Sequence, residues 1–225
     1  MGVLKIVARV SHRFRHRLLG ITEGTVRVYS FQSVGAHEAA QARGYWTGDL
    51  EYVEDDFDRQ HGCGWKFQYD WMRDQMRFRV PSYSGDYPVW AYLRRPNMRQ
   101  TPVFQSPTVK LVADVPRQRM LISDYDRWHT CLNNGYCADT EEEDEAVDRL
   151  RAEKGFGRTA RDAMSLKSWE RIFDLSDISD PAKLAWMGGQ PNDLQACIDR
   201  IYPEEIVSIR PVTGRLYKNR PGYLR

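Results

Sequence analysis

The segment from residue 66 to residue 99 constrains the fold most, because a helical pattern and a strand pattern follow one another across a proline. Large side chains recur there at spacings of three and four residues, which predicts a helix over residues 66–79. These side chains are Phe67, Tyr69, Trp71, Met72 and Met76. Pro81 ends the helix, because proline lacks the amide hydrogen that a helix needs. The sequence YPVWAYL then alternates small and aromatic side chains, which predicts a strand with both faces occupied.

The same segment sets aromatic side chains beside arginines and contains few aliphatic residues. Aromatic faces and guanidinium groups together suit a cleft for a planar, charged ligand. Arg94 and Arg95 directly follow the predicted strand, so they either bind an anion or belong to a solvated basic loop. Tyr69 and Trp71 are two residues apart on a helix, so one of them faces away from the core or lines a cleft.

The length of 225 residues suffices for one substantial core and is short for two. We therefore expect a basic lead-in over residues 1–24 and a single domain over residues 25–225. Hydrophobic residues make up 41% of the chain and charged residues 28%, which is typical of soluble globular proteins. The formal charge is only +2, so no overall basic field argues for nucleic acid as an obligate partner.

The sequence contains no apolar run of the roughly 18 residues that a membrane helix needs and no secretory signal, so we expect a cytoplasmic protein without a membrane partner. Its cysteines are Cys63, Cys131, Cys137 and Cys197. They form no C-x-x-C motif and have no paired histidines, so we expect no metal site and interpret them as reduced, partly buried thiols. In an exported protein, Cys131 and Cys137 would instead bridge a loop.

The remaining segments predict an α+β fold. Residues 26–31 predict a strand. Ser33 and Gly44 are suited to begin and end the helix that follows it. Two further strand candidates, VKLVADV and RMLIS, are separated by Pro116 and predict a β-meander or hairpin. Ser123 and Asp124 precede another helical segment, and the acidic residues 140–154 predict a solvated helix. Residues 194–201 and 206–209 predict two closing strands.

Common catalytic motifs are missing: there is no G-x-G-x-x-G, no Walker loop, no G-x-S-x-G and no H-E-x-x-H. Residue chemistry alone therefore does not name a reaction. The segment V-Y-S-F-Q-S, followed by a short helix and by G-Y-W-T-G-D, resembles the opening of the ADP-ribosyltransferase superfamily. The segment LQACIDRIYPEEIVSIRP is similar to the last element of that superfamily.

The span from about Val26 to Arg210 also resembles a small bacterial family of unknown function. That resemblance rests on Ser30 with Gln32 and on the segments Y-D-W-M, Y-P-x-W-A, S-D-x-D-x-W-H and W-E-x-I-F. The superfamily resemblance implies a twisted, split antiparallel sheet with flanking helices, and NAD as a co-substrate. It places Ser30 where related enzymes orient the adenosine ribose, and Gln195 where they carry a catalytic carboxylate. A neutral Gln195 lacks that charge, so Asp199 or Glu205 is the expected substitute.

Further residues are candidates for holding NAD, with Tyr69 or Tyr92 stacked on the nicotinamide. The candidates are Tyr29, Gln32, Tyr69, Trp71, Tyr92, Arg94 and Arg95. The resemblance implies transfer of ADP-ribose to a protein or nucleic acid, as a toxin or defence effector would perform it. The alternative is a non-catalytic nucleic-acid or protein interaction module that uses the same aromatic and arginine side chains. A metal-dependent nuclease has no supporting carboxylate spacing. The transferase hypothesis expects Ser30, Tyr69 and Gln195 to meet in one pocket.

Overall fold

The computed structural model describes residues 23–49, 64–81, 83–96, 107–157, 160–175, 181–186 and 193–212. The strands are β1 (Thr25–Ser33), β2 (Val89–Tyr92), β3 (Thr108–Pro116), β4 (Met120–Asp124), β5 (Leu194–Ile198) and β6 (Ile206–Pro211). The α-helices are α1 (Val34–Arg43), α2 (Lys66–Arg79), α3 (Tyr125–Leu132), α4 (Glu141–Glu153), α5 (Ala163–Trp169) and α6 (Pro181–Trp186). Short 3₁₀ turns cover Arg117–Arg119, Glu170–Phe173 and Pro203–Glu205. The predicted α+β class is confirmed.

The strands form one six-stranded sheet in the order β4-β5-β2-β1-β3-β6. Strand β1 pairs antiparallel with β3 along its whole length, from Thr25 opposite Pro116 to Ser33 opposite Thr108. The other edge of β3 pairs antiparallel with β6. Both edges of β3 are therefore occupied, and the predicted hairpin of β3 with β4 is wrong. The Arg117–Arg119 turn instead leads into β4 at the opposite end of the strand order.

The described chain divides into two compact units, and the division falls inside β4 and β5. One unit holds residues 122–195, and the other holds residues 23–121 and 196–212. The prediction of one domain over residues 25–225 stays a prediction, and nearly all of the basic lead-in lies outside the described residues.

In the unit of residues 23–121 and 196–212, the alternation of β1 buries one face of the sheet. Val26, Val28 and Ser30 are buried on that face, and the residues opposite them on β3 are buried as well. Helix α2 has the predicted bounds, and its Met72 and Met76 are fully buried. The period-two pattern of β1 and the period-3.6 pattern of α2 thus each bury apolar side chains.

Local capping interactions set the ends of α1. The Ser33 side chain accepts a hydrogen bond from the Ala36 amide at 3.0 Å. Gly44 ends the helix with φ 88°, a left-handed conformation that favours glycine. Both predicted ends are confirmed.

The unit of residues 122–195 has its own core. Trp169 and Ile172 are fully buried there, and the Trp169 indole N–H donates to the Gly135 carbonyl at 2.8 Å. Asp124 begins α3 by accepting from the Arg127 amide at 2.9 Å. The segments S-D-x-D-x-W-H and W-E-x-I-F therefore supply a helix cap and core side chains in this unit.

The described cysteines Cys131, Cys137 and Cys197 are free and buried. Among the described residues, no group of three or more His, Cys, Asp or Glu side chains is arranged to hold a metal ion. Every helix within the described ranges is too short or too polar to cross a membrane.

Candidate ligand-binding pocket

A pocket of about 320 Å³ lies where β1 ends and β2 begins, within the unit of residues 23–121 and 196–212. Aromatic side chains form much of its wall, and one carboxylate, one amide and the hydroxyl side chains of Ser33 and Thr47 are among its polar groups. Its lining residues are Phe31, Gln32, Ser33, Ala36, Thr47, Gly48, Asp49, Tyr69, Tyr87, Pro88, Val89 and Trp90. Ligand pockets in proteins have this character: mostly apolar walls with a few convergent polar groups.

Close backbone contact holds Thr47 and Asp49 at the pocket. The Gly48 amide donates to the Tyr87 carbonyl at 2.7 Å, and the Thr47 hydroxyl donates to the same carbonyl at 2.9 Å. A Cβ atom on Gly48 would lie 2.7 Å from the Pro88 carbonyl oxygen and 2.9 Å from the Tyr87 Cβ. Only glycine allows this approach. The segment T-G-D is thus attached to the start of β2.

A chain of hydrogen bonds orients the Gln32 amide. The Ser30 hydroxyl donates to the Trp90 carbonyl at 2.6 Å, so its oxygen accepts from Gln32 Nε2 at 2.7 Å. The amide nitrogen of Gln32 is therefore engaged. Within the described part of the chain, its Oε1 has no hydrogen-bond partner and is available to accept from a ligand.

Tyr69 and Trp90 contribute adjoining aromatic rings to the pocket wall. Their ring centroids lie 5.5 Å apart at an interplanar angle of 62°, an edge-to-face arrangement. Burial, with a smaller contribution from Cys197, raises the pKa of Tyr69 to about 12. The Tyr69 hydroxyl therefore stays protonated at neutral pH and can donate a hydrogen bond.

Helix α2 holds Tyr87 in place through Asp70 and Arg73. The Tyr87 hydroxyl donates to Asp70 at 2.7 Å, and the Arg73 guanidinium lies 4.4 Å from the Tyr87 ring centroid. Arg73 also donates to the Gly85 carbonyl at 2.9 Å. Burial would raise the pKa of Asp70, but hydrogen bonds from Lys66 and Tyr87 outweigh it and lower that pKa. Asp70 is therefore ionised and accepts the hydrogen bond from the Tyr87 hydroxyl.

Asp49 is the carboxylate in the pocket lining, and it is half-buried. Arg43, the last residue of α1, lies 3.6 Å from it. A carboxylate beside aromatic walls can accept from ribose hydroxyls or stabilise a developing positive charge.

The residues predicted to be catalytic lie outside this lining. Ser30 is 1% exposed and supports Gln32 from behind. Gln195 is buried in the unit of residues 122–195, where its Nε2 donates to the Ser123 hydroxyl at 3.2 Å. Asp199 is buried and accepts from the Ser84 amide at 3.1 Å. Glu205 pairs with Arg119.

Among the predicted cofactor-binding residues, the pocket lining includes Gln32 and Tyr69. Tyr29 and Tyr92 face each other across β1 and β2, next to the lining residue Phe31. Trp71 is half-buried on α2, and Arg94 and Arg95 are exposed after β2. The Ser30 and Gln195 side chains do not join Tyr69 in the lining.

Sequence reasoning missed Thr47, Asp49 and Tyr87 as pocket residues. Their segments, G-Y-W-T-G-D and Y-P-x-W-A, are distinct motifs of the sequence, but no pattern in either one indicates that they meet. The signal was Gly48, because a glycine inside a strand-like segment often marks close backbone approach.

This arrangement defines an α+β protein with a small, aromatic-walled ligand pocket at one end of two central strands. The sequence model of Domain of unknown function (DUF3841) matches residues 27–207, so the chain belongs to that family. Comparison with curated proteins and with solved structures gave no match.

Proposed function

We propose that the pocket binds NAD as a co-substrate and that the protein transfers ADP-ribose to a protein or nucleic acid. One observation carries the proposal: the two segments behind the resemblance at the start of the chain meet in one pocket. The end of β1 supplies Gln32, and the T-G-D segment supplies Asp49. Tyr69, one of the two tyrosines expected to stack on nicotinamide, lines the same pocket.

The pocket chemistry suits one nucleoside half of NAD. The rings of Tyr69 and Trp90 offer apolar surface for a planar base. The Gln32 carbonyl oxygen can accept from a carboxamide N–H or a ribose hydroxyl, and the protonated Tyr69 hydroxyl can donate. A volume of about 320 Å³ accommodates one such half rather than the whole dinucleotide.

In the proposed reaction the bond between the nicotinamide nitrogen and ribose C1′ breaks. Its electron pair leaves with nicotinamide, positive charge develops at the ribose, and an acceptor oxygen or nitrogen bonds to C1′ and loses its proton. Asp49 is the pocket carboxylate that would stabilise this charge. In this proposal Asp49 is the catalytic carboxylate, a role that the resemblance by itself assigns to the position of Gln195.

The test compares wild-type protein with Asp49→Asn. NAD binding is followed by calorimetry, and nicotinamide release by chromatography, with water, protein and oligonucleotide acceptors supplied. We expect Asp49→Asn to lower nicotinamide release by about 100-fold or more, since electrostatic stabilisation of the transition state has that magnitude. NAD affinity should change little, because the substituted amide keeps the shape of the side chain.

Asp74→Asn is the matched control, because Asp74 is an exposed, ion-paired residue of α2 outside the pocket lining. It should leave NAD binding and nicotinamide release unchanged. A wild-type protein that neither binds NAD nor releases nicotinamide overturns the proposal. Equal rates for Asp49→Asn and wild type overturn the role of Asp49.

A further inference from the structure

The sheet has a second, half-exposed face in the unit that holds the pocket. Along β1, β3 and β6, the side chains of this second face alternate with those of the buried face that contains Val28. We call them the outer face: Arg27, Tyr29 and Phe31 on β1, Lys110, Val112 and Asp114 on β3, Ser208 and Arg210 on β6, and Trp90 and Tyr92 on β2. All but Val112 are half-buried or exposed.

The strand register arranges this face into rows. Phe31 lies opposite Lys110, and Lys110 lies opposite Arg210, so one row runs from an aromatic ring to two cations. In the next row Tyr92 lies opposite Tyr29. Neighbouring strands are about 4.8 Å apart, so the two cations lie roughly 5 and 10 Å from the Phe31 strand.

The charges of the outer face are unbalanced in one place. Arg27 lies opposite Asp114 and forms an ion pair with it, with Nη2 donating at 2.7 Å. Lys110 and Arg210 form no ion pair with any described carboxylate, although like charges directly opposite each other destabilise a sheet. An anion bound between them would relieve this repulsion.

We propose that the outer face binds single-stranded nucleic acid, with phosphate at Lys110 and Arg210 and bases stacked on Phe31 and Tyr29. Aromatic side chains on a sheet stack unpaired bases, and cations beside them hold the backbone. The rows offer both contacts at spacings that successive nucleotides can follow. A duplex keeps its bases stacked on one another, so it cannot use the rings. Phe31 also lines the pocket proposed for NAD, whereas Tyr29, Lys110 and Arg210 lie outside that lining, so this binding does not require Asp49.

Fluorescence anisotropy with a labelled oligouridylate or oligothymidylate of about twelve nucleotides tests the proposal over a range of salt concentration. We expect affinity to fall steeply as salt rises. Lys110→Gln with Arg210→Gln should reduce the slope of log affinity against log salt by about 1.4, because each phosphate contact contributes about 0.7 for single strands. Tyr29→Leu should weaken binding about tenfold with an unchanged slope.

The matched control replaces Arg77 and Arg149 with Gln, which makes the same change in net charge. Both residues are exposed and form ion pairs along their own helices. The control should bind as wild type does. Thermal unfolding identifies any misfolded variant. If Lys110→Gln misfolds, the charge-conserving Lys110→Arg is measured in its place and should retain binding. No binding of single strands at low salt, equal loss in the control, or duplex binding as tight as single-strand binding each overturns the proposal.

Discussion

Replacing Gly48 with alanine should destabilise the pocket and the unit that contains it. The added methyl group would lie 2.7 Å from the Pro88 carbonyl oxygen and 2.9 Å from the Tyr87 Cβ. The T-G-D segment must therefore move away. That movement lengthens the two hydrogen bonds that the Tyr87 carbonyl accepts from Gly48 and Thr47. Each lost bond costs about 1 kcal/mol, and overpacking costs about 1 to 3 kcal/mol.

With the loss of one of these two bonds added to the overpacking, we expect Gly48→Ala to lower the free energy of unfolding by about 2 to 4 kcal/mol. For a protein of this size the melting temperature should fall by roughly 5 to 15 °C, which differential scanning calorimetry measures directly. Gly157→Ala is the matched control, because no atom lies within 4 Å of its added Cβ and its φ lies outside the left-handed range. A melting temperature of Gly48→Ala within about 1 °C of wild type would refute the close-approach argument. An equal fall in the control would refute it too.

Two further predictions concern the unit of residues 122–195 and the thiols. Hydrogen bonds from Arg171 lower the pKa of Glu143 from 4.5 to about 2, so its contribution to stability is present above pH 4.5 and lost as the pH falls towards 2. Urea unfolding at a series of pH values should show Glu143→Gln with a flatter acid limb than wild type, and an unchanged limb would contradict the ion pair. Burial raises the pKa of the Cys131 and Cys197 thiols. In a Cys63→Ser background, mass spectrometry should find them alkylated by iodoacetamide only after denaturation, and rapid labelling of native protein would contradict their burial.

The local elements were predictable because their causes lie within a few residues of each other. Ser33 and Gly44 set the ends of α1 through contacts with that helix alone. The spacing of Met72 and Met76 predicted α2, since residues four apart share a helix face. In each case backbone geometry and side-chain chemistry act over one or two turns.

Strand partners were not predictable in the same way. The alternation in β3 indicates which of its side chains are buried, but it does not specify the partner strand, because any strand with a matching pattern could pair with it. The short link after Pro116 suggested β4 as that neighbour, whereas β3 pairs with β1 and β6. Pairing depends on how all strands together cover the core, and no single segment contains that information.

By itself the sequence determined the fold class, the family, the helix ends and the segments that carry polar and aromatic side chains. Only the tertiary structure decided which of those side chains share a pocket. Gly48 and Tyr87 meet through a backbone hydrogen bond between segments distant in the chain, and this contact brings Asp49 to the end of β1. Ser30 and Gln32 share one strand face, yet burial closes off one and leaves the other in the pocket lining. Such outcomes depend on long-range packing, because residues distant in the sequence determine whether a side chain is buried or accessible.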